Sequence, residues 1–209
     1  MSWWRGAGML AAAVVTAGYA LAVHYSNSHP GSGAAGATLS LLPLLLPGWL
    51  LRRSWRPVWW VAAALGAALV IVAAWPLLTR NYPGLYLLQQ LGAYLALGIG
   101  FGMTLRRGQI PLCTRIAAQV QRPLPEAVAR YTRAVTLVWT MLFLMLALTL
   151  MATFLLLPLR LWSLYANFVA PLIIGMMFAA EALARRRALP PPQRTGLLAW
   201  LRLYLQGSA

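Results

Sequence analysis

Residues 134–157 read AVTLVWTMLFLMLALTLMATFLLL, twenty-four consecutive positions without an ionisable side chain. At about 1.5 Å per residue, a helix of this length covers the ~30 Å hydrocarbon core of a bilayer. In lipid such a run has to be helical, because no water is present to satisfy exposed backbone N–H and C=O groups. Working outward from it, further apolar stretches lie at about 7–25, 34–51, 57–78 and 84–105 on one side and 161–183 on the other. The expected fold is therefore all-α. It is a polytopic membrane helix bundle of about six transmembrane helices, forming one transmembrane domain over 1–187, with a tail over 188–209. Pro43 and Pro47 fall inside the second stretch and predict a broken helix, a device from which some transporters build substrate sites.

Composition agrees with the periodicity. Of 209 residues 61% are hydrophobic and only 9% charged, whereas soluble domains are roughly 25% charged. This excludes a water-soluble enzyme, and the hydrophobicity also excludes a disordered chain. The net charge of +15 comes from 17 basic residues, every one an arginine, against Glu126 and Glu181. Sorted by loop, Arg5, Arg52, Arg53, Arg56, the six from Arg106 to Arg133 and the five from Arg185 to Arg202 share one side, leaving only Arg80 and Arg160 on the other. Positive charge marks the cytoplasmic side, so both termini are expected in the cytoplasm and the protein in an inner membrane. The basic excess then encodes orientation, and a nucleic-acid partner is not expected. Ala20-Leu21-Ala22 has the small-x-small form of a signal cleavage site. The apolar run before it exceeds the usual ~7–15-residue core of a signal peptide, so this span is read as retained.

The longest polar segment lies between the fourth and fifth spans. Leu112, Cys113, Ile116, Ala117 and Val120 recur at helical spacing, predicting a short amphipathic helix at the membrane surface. Pro123 and Pro125 end it. Pro125 suits the first turn of the next helix, where Glu126 and Arg130 form an i, i+4 pair. The tail repeats the pattern: Arg185–Arg187 and Pro190–Pro192 precede Leu197, Leu198, Trp200, Leu201, Tyr204 and Leu205. These cationic segments suit anionic headgroups, at about 1 kcal/mol per basic residue, or an acidic docking partner.

Chemistry-bearing residues are few. Gln89, Gln90 and Asn167 lie within spans, where polar side chains ordinarily hydrogen-bond across helices. Ion-coupled transport usually needs ionisable groups at membrane depth, and none lies near a span centre. Glu126 and Glu181 are the candidate acid–base pair if the protein is an enzyme, but the sequence does not bring them together. His24 and His29 fall on the face opposite both glutamates and Cys113, which excludes a nucleophile–His–acid arrangement using those acids. Two histidines alone are too few for zinc, the lone cysteine reads as a small apolar residue, and no catalytic residue, metal or cofactor is expected. Gly98, Gly100 and Gly102 read as sites of close helix packing.

The stretches LRRGQIPLCTRIAA (105–118), LPEAVARYTRAVTLVW (124–139) and LWSLYANFVAPLIIGMMFAAEALAR (161–185) carry a resemblance that extends over about 82–187. Here the chain resembles a family of small bacterial multi-pass membrane proteins associated with gene clusters for aryl-polyene or xanthomonadin-type pigments and unusual fatty acids. The resemblance implies a setting rich in acyl carrier proteins and soluble acyl-chain enzymes. It implies no catalytic residues.

Three functions are consistent with these observations. The leading one is a non-catalytic accessory or scaffold component, docking acidic carrier proteins or anionic lipid through Arg106, Arg107, Arg115, Arg122, Arg130 and Arg133. The second is a membrane enzyme on an acyl or lipid substrate using Glu126 or Glu181. The third is a lipid transporter or flippase built on the broken second span.

Overall fold

A computed structural model of the chain describes residues 2–29, 31–51, 57–120 and 123–189. Within them the chain is helical almost throughout, and no strand occurs among the described residues. In order they are α1 (Ser2–Ser28), α2 (Gly33–Leu51), α3 (Pro57–Ala73), α4 (Trp75–Met103), α5 (Leu112–Val120), α6 (Glu126–Leu156), α7 (Leu159–Leu164), a π-helical turn (Tyr165–Val169) and α8 (Ala170–Ala188). Among the described residues three helices are long and apolar enough to cross a membrane: Trp75–Met103, Glu126–Leu156 and the continuous Leu159–Ala188. Arg52, Arg53, Arg56, Arg122, Arg194, Arg202 and the expected tail helix lie outside the described residues.

Prolines set where the helices break, but not where the sequence suggests. α2 runs uninterrupted from Gly33 to Leu51 across Pro43 and Pro47, so the expected broken helix is not formed. Pro43 has no N–H to offer the carbonyl of Leu39, four residues earlier. That carbonyl accepts the hydroxyl of Tyr19 on α1 instead, at 3.1 Å. The third and fourth spans also divide differently from expectation. α3 ends at Ala73, and residues 75–78 belong to α4, because Pro76 cannot donate to the carbonyl of Val72. Pro83 then kinks α4 at Asn81 (φ −119°, ψ 18°), whose side-chain amide donates to the Leu77 carbonyl at 3.0 Å. In the continuous Leu159–Ala188 helix, the π turn over Tyr165–Val169 ends two residues before Pro171. The widened turn fits there because proline crowds the carbonyl four residues before it.

The contacts divide the chain into two compact units, Met1–Gln89 with Thr153–Val169, and Gln90–Ala152 with Ala170–Ala209. In the first, α1 packs against α2 and α7. Two glycines let the start of α2 approach the kinked part of α4: a Cβ on Gly33 would stand 2.6 Å from the Thr79 carbonyl oxygen, and one on Gly36 would overlap the Tyr82 ring. Thr79 is the residue whose carbonyl Pro83 leaves without its helical donor. The core of this unit holds Trp162, fully buried between the edges of Tyr86 and Phe154 at ring separations of 6.0 and 5.0 Å.

The second unit packs α4 against α6 through Gly98 and Gly102, whose added Cβ atoms would meet Leu144 and Thr140 at 2.9 and 3.2 Å. Gly100, the middle member of that series, faces open space. Trp139 and Phe143 stack at 5.4 Å, with Phe178 of α8 and Phe101 of α4 completing the aromatic cluster. Below it Leu146, Ala147 and Leu150 are buried.

Candidate functional site

In the second unit, the polar chemistry starts from a threonine series on α6. Thr132, Thr136 and Thr140 recur every four residues, so they share one face, and all three are buried. Each hydroxyl donates to the carbonyl four residues earlier, at 2.8, 2.8 and 2.9 Å. The remaining acceptor capacity of Thr132 and Thr136 holds α5. The first N–H groups of a helix have no partner within it. Here Leu112 N donates to Thr104 Oγ1 at 3.0 Å and Cys113 N to Thr136 Oγ1 at 3.2 Å. Thr114 adds a hydroxyl–hydroxyl bond to Thr132 at 2.8 Å. α5 thus occupies the stretch where helical spacing predicts one, and its buried face includes a threonine that the apolar pattern passes over. Cys113 is a half-buried free thiol, and burial pushes it above the ordinary thiol range.

Around this docked helix the arginines stay outside. Arg106 and Arg107 sit in the turn that leaves α4, where Gln109 N closes onto the Arg106 carbonyl at 3.1 Å and Gly108 takes φ +82°. Arg115 on α5 and Arg130 and Arg133 on α6 are likewise exposed. Arg133 reaches the Leu105 carbonyl at 3.4 Å, and Arg130 lies 3.9 Å from Glu126 with side chains 77% and 86% exposed. A pair that open to water contributes at most a few tenths of a kcal/mol.

Glu181 is placed very differently. It is 10% exposed, paired with a 17% exposed Arg185 one turn along α8. The Arg185 Nε donates to Oε1 at 2.9 Å, and Nη2 bonds Oε2. Tyr131 of α6 donates to the same carboxylate at 3.2 Å and to the Glu181 carbonyl at 3.1 Å. The two glutamates therefore serve separate ion pairs, each with the arginine four residues later. Among the described residues no cluster of three or more His, Cys, Asp or Glu side chains could hold a metal.

The first unit contains a second polar centre, which sequence reading did not assemble. Ser163 of α7 is fully buried, and its hydroxyl meets three side chains. Asn27 Nδ2 donates to it at 3.2 Å and Asn167 Nδ2 at 3.1 Å, while His24 Nδ1 lies 3.2 Å away. Both amides are donors, so the single hydroxyl proton is left for His24 Nδ1. That assigns the imidazole proton to Nε2. Asn167 also donates to the Ser163 carbonyl at 2.9 Å and accepts the Tyr86 hydroxyl at 2.7 Å. The Ser163–His24 pair resembles part of a nucleophilic dyad, but a fully buried hydroxyl that already accepts two bonds offers no attacking lone pair to a substrate. Its chemistry is positional: it fixes the tautomer and plane of His24, which also meets Phe168 edge-on at 5.6 Å.

Of the polar residues singled out within spans, Asn167 is in this network. Gln89 bridges α4 to the Ser40 carbonyl on α2 at 2.7 Å, and Gln90 is half-buried on α4 in the second unit. The residues that sequence reading passed over are Ser163, Asn27 and Tyr86. Their only sequence signal is polarity inside an apolar setting, since Ser163 lies 139 residues from His24 and 136 from Asn27. No family model matches the chain, and no curated protein or solved structure is significantly similar to it.

Proposed function

We propose that the chain is a non-catalytic, integral inner-membrane protein that recruits an acidic soluble partner of the acyl carrier class to the cytoplasmic surface. Membrane embedding is supported by the density of exposed large apolar side chains, among them Val14, Leu69, Leu148, Leu155, Leu156 and Leu172. Soluble monomers rarely expose contiguous apolar patches of more than a few hundred Å². The finer reading is six spans with both termini in the cytoplasm, as the arginine distribution implies.

The observation that carries the recruiting role is the state of the arginines. Arg106, Arg107, Arg115, Arg130 and Arg133 are exposed, and the only carboxylate among the described residues that any of them approaches is Glu126. They are borne by α5, α6 and the turn at Gly108, elements held by the Thr104, Thr132 and Thr136 hydroxyls. Exposed guanidinium groups on a fixed framework, all but Arg130 without a carboxylate beside them among the described residues, suit an acidic protein surface, for which charge complementarity raises the association rate and sets the register. Of the two acids needed for an enzymatic reading, Glu181 is held in a shielded ion pair with Arg185 and Glu126 stands exposed and apart from it, while the continuous α2 weakens the transporter reading, which rested on a broken second span.

The test is binding of purified acyl carrier protein to the full chain reconstituted in zwitterionic nanodiscs. Affinity is expected to fall about tenfold or more between 50 and 200 mM salt, as roughly expected when several charges are screened. It should be lost on changing Arg106, Arg107, Arg115 and Arg133 together to Gln. Binding that survives this variant, or that appears only when anionic lipid is present, would overturn the recruiting role and leave headgroup anchoring as the use of these arginines.

A further inference from the structure

Two cavities in the first unit meet at the same pair of residues. One, of about 710 Å³, is bounded by the last turns of α1 and the start of α2, with Leu21, Tyr25 and Leu39 in its wall. The other, of about 440 Å³, is bounded by Pro158 and by Leu161 and Leu164 of α7. His24 and Arg160 line both. These volumes fall in the range of small-molecule sites, roughly 300–1,000 Å³. The surface that the cavities expose is mostly apolar, although the larger one is also lined by Tyr25, Ser26, Ser28, His29 and Ser32.

Which polar groups remain available can be worked out bond by bond. The Ser28 hydroxyl donates to the His24 carbonyl at 2.7 Å, and the Ser32 hydroxyl donates to the carbonyls of Ser26 and His29. Both hydroxyl protons are therefore spent. His29 Nδ1 faces the Tyr25 carbonyl at 2.9 Å and must be a donor there, and the His29 ring stacks on Tyr25 at 3.9 Å. His24 differs. Its Nδ1 accepts from Ser163, which leaves Nε2–H as a donor without a partner among the described residues. Arg160 is exposed and has no ion pair or hydrogen bond among the described residues. Arg160 thus brings a full positive charge, and His24 a ring nitrogen not used by Ser163, to residues that line both cavities. Close behind, Asn27 is buried and its Oδ1 has no hydrogen-bond partner.

We propose that this junction binds the oxyanion headgroup, carboxylate or phosphate, of an amphiphile whose hydrocarbon part lies along the apolar walls. Arg160 neutralises the headgroup and His24 Nε2 donates to one of its oxygens, a charge-assisted arrangement stronger than a neutral hydrogen bond. Ser163, Asn27 and Asn167 act one step back, by presenting the correct nitrogen of His24. The ligand is a single-headed anion with a chain, and two sources supply that chemistry: a free long-chain acid, or an anionic lipid of the surrounding bilayer.

The experiment uses the full chain purified in a neutral maltoside detergent, with binding followed by isothermal calorimetry. The probes are palmitate, cetyl alcohol, a short-chain phosphatidylglycerol and inorganic phosphate. Palmitate or phosphatidylglycerol is expected to bind, and whichever is tighter identifies the source. Cetyl alcohol, with the same chain and no charge, should bind about tenfold or more weakly, matching the loss of hydrogen bonds to a charged group. Arg160→Gln should weaken the anionic probe by a similar factor. Because Arg160 is exposed, this variant should leave the unfolding temperature of the free protein unchanged. Ser163→Ala frees His24 to reorient and should weaken the same probe while leaving cetyl alcohol unaffected. Equal binding of palmitate and cetyl alcohol, undiminished binding to Arg160→Gln, or binding of inorganic phosphate as tight as that of the amphiphiles would each overturn the proposal.

Discussion

Glu126 and Glu181 are the same residue type in the same local pattern, a glutamate four positions before an arginine, yet their environments differ completely. The Glu126–Arg130 pair stands in water, whereas Glu181 and Arg185 are shielded and share Tyr131. Removing one member of a shielded pair strands the other charge, at a cost on the order of 3 kcal/mol. Glu181→Gln should therefore lower the unfolding temperature of the detergent-solubilised protein clearly. Glu126→Gln should change stability by less than about 0.5 kcal/mol. Comparable effects from the two substitutions, measured by thermal unfolding, would show that the burial of Glu181 carries no energetic weight. Nothing in the sequence separates the two acids. What separates them is Tyr131, fifty positions away on another helix.

At the scale of elements, α5 shows how a nine-residue helix is held. Alone it is far shorter than the ~12–15 residues at which an isolated helix becomes marginal in water. Its stability comes from three hydroxyl contacts made by Thr104, Thr132 and Thr136, and from partial burial of Cys113, Ile116 and Ala117. Two measurable consequences follow at Cys113. Because burial raises its thiol, less thiolate is present at a given pH, and the thiolate is the reactive form. Alkylation by iodoacetamide should be slow at neutral pH, and its rate–pH curve should lie at higher pH than that of an unstructured cysteine peptide. Thr132→Val removes the acceptor for Thr114, leaves a buried hydroxyl unpaired at about 1–3 kcal/mol, and should speed the labelling by loosening α5. Identical labelling of the variant and the unaltered protein would argue against this docking. The helical spacing of 112–120 is visible in the sequence; the threonine contacts that seat the helix are not, because Thr and Ser polarity alone does not say which partner is satisfied.

At the scale of the whole molecule, the apolar stretches and the segregated arginines support the proposed six-span topology, while three helices meet the length and apolarity needed for crossing. Reporter fusions active only outside the cytoplasm should be active after residues 30, 80 and 158 and inactive after residues 54, 120 and 205. A reporter active after residue 54 or 120 would overturn that topology. The segments between these points also explain why span boundaries read from hydropathy shift in the structure. Hydropathy averages over a window, whereas Pro76, Pro83 and Pro171 act at single carbonyls. The same proline chemistry therefore gives a break at Ala74, a kink at Asn81 and a π turn before Pro171, yet an uninterrupted helix across Pro43 and Pro47, where Tyr19 repairs the Leu39 carbonyl.

By itself the sequence determined helicity, the long apolar segments and the scarcity of acids, because each of these depends on local composition and on the bilayer-sized length of a run. Tertiary structure decided which prolines break their helices, which glutamate is shielded, and how His24 meets the Ser163 hydroxyl in a wall that it shares with Arg160. Those outcomes depend on hydroxyls and amides that arrive from up to 139 positions away. A hydrogen bond is set by a donor and an acceptor meeting within about 3 Å, and no periodicity along the chain encodes that meeting.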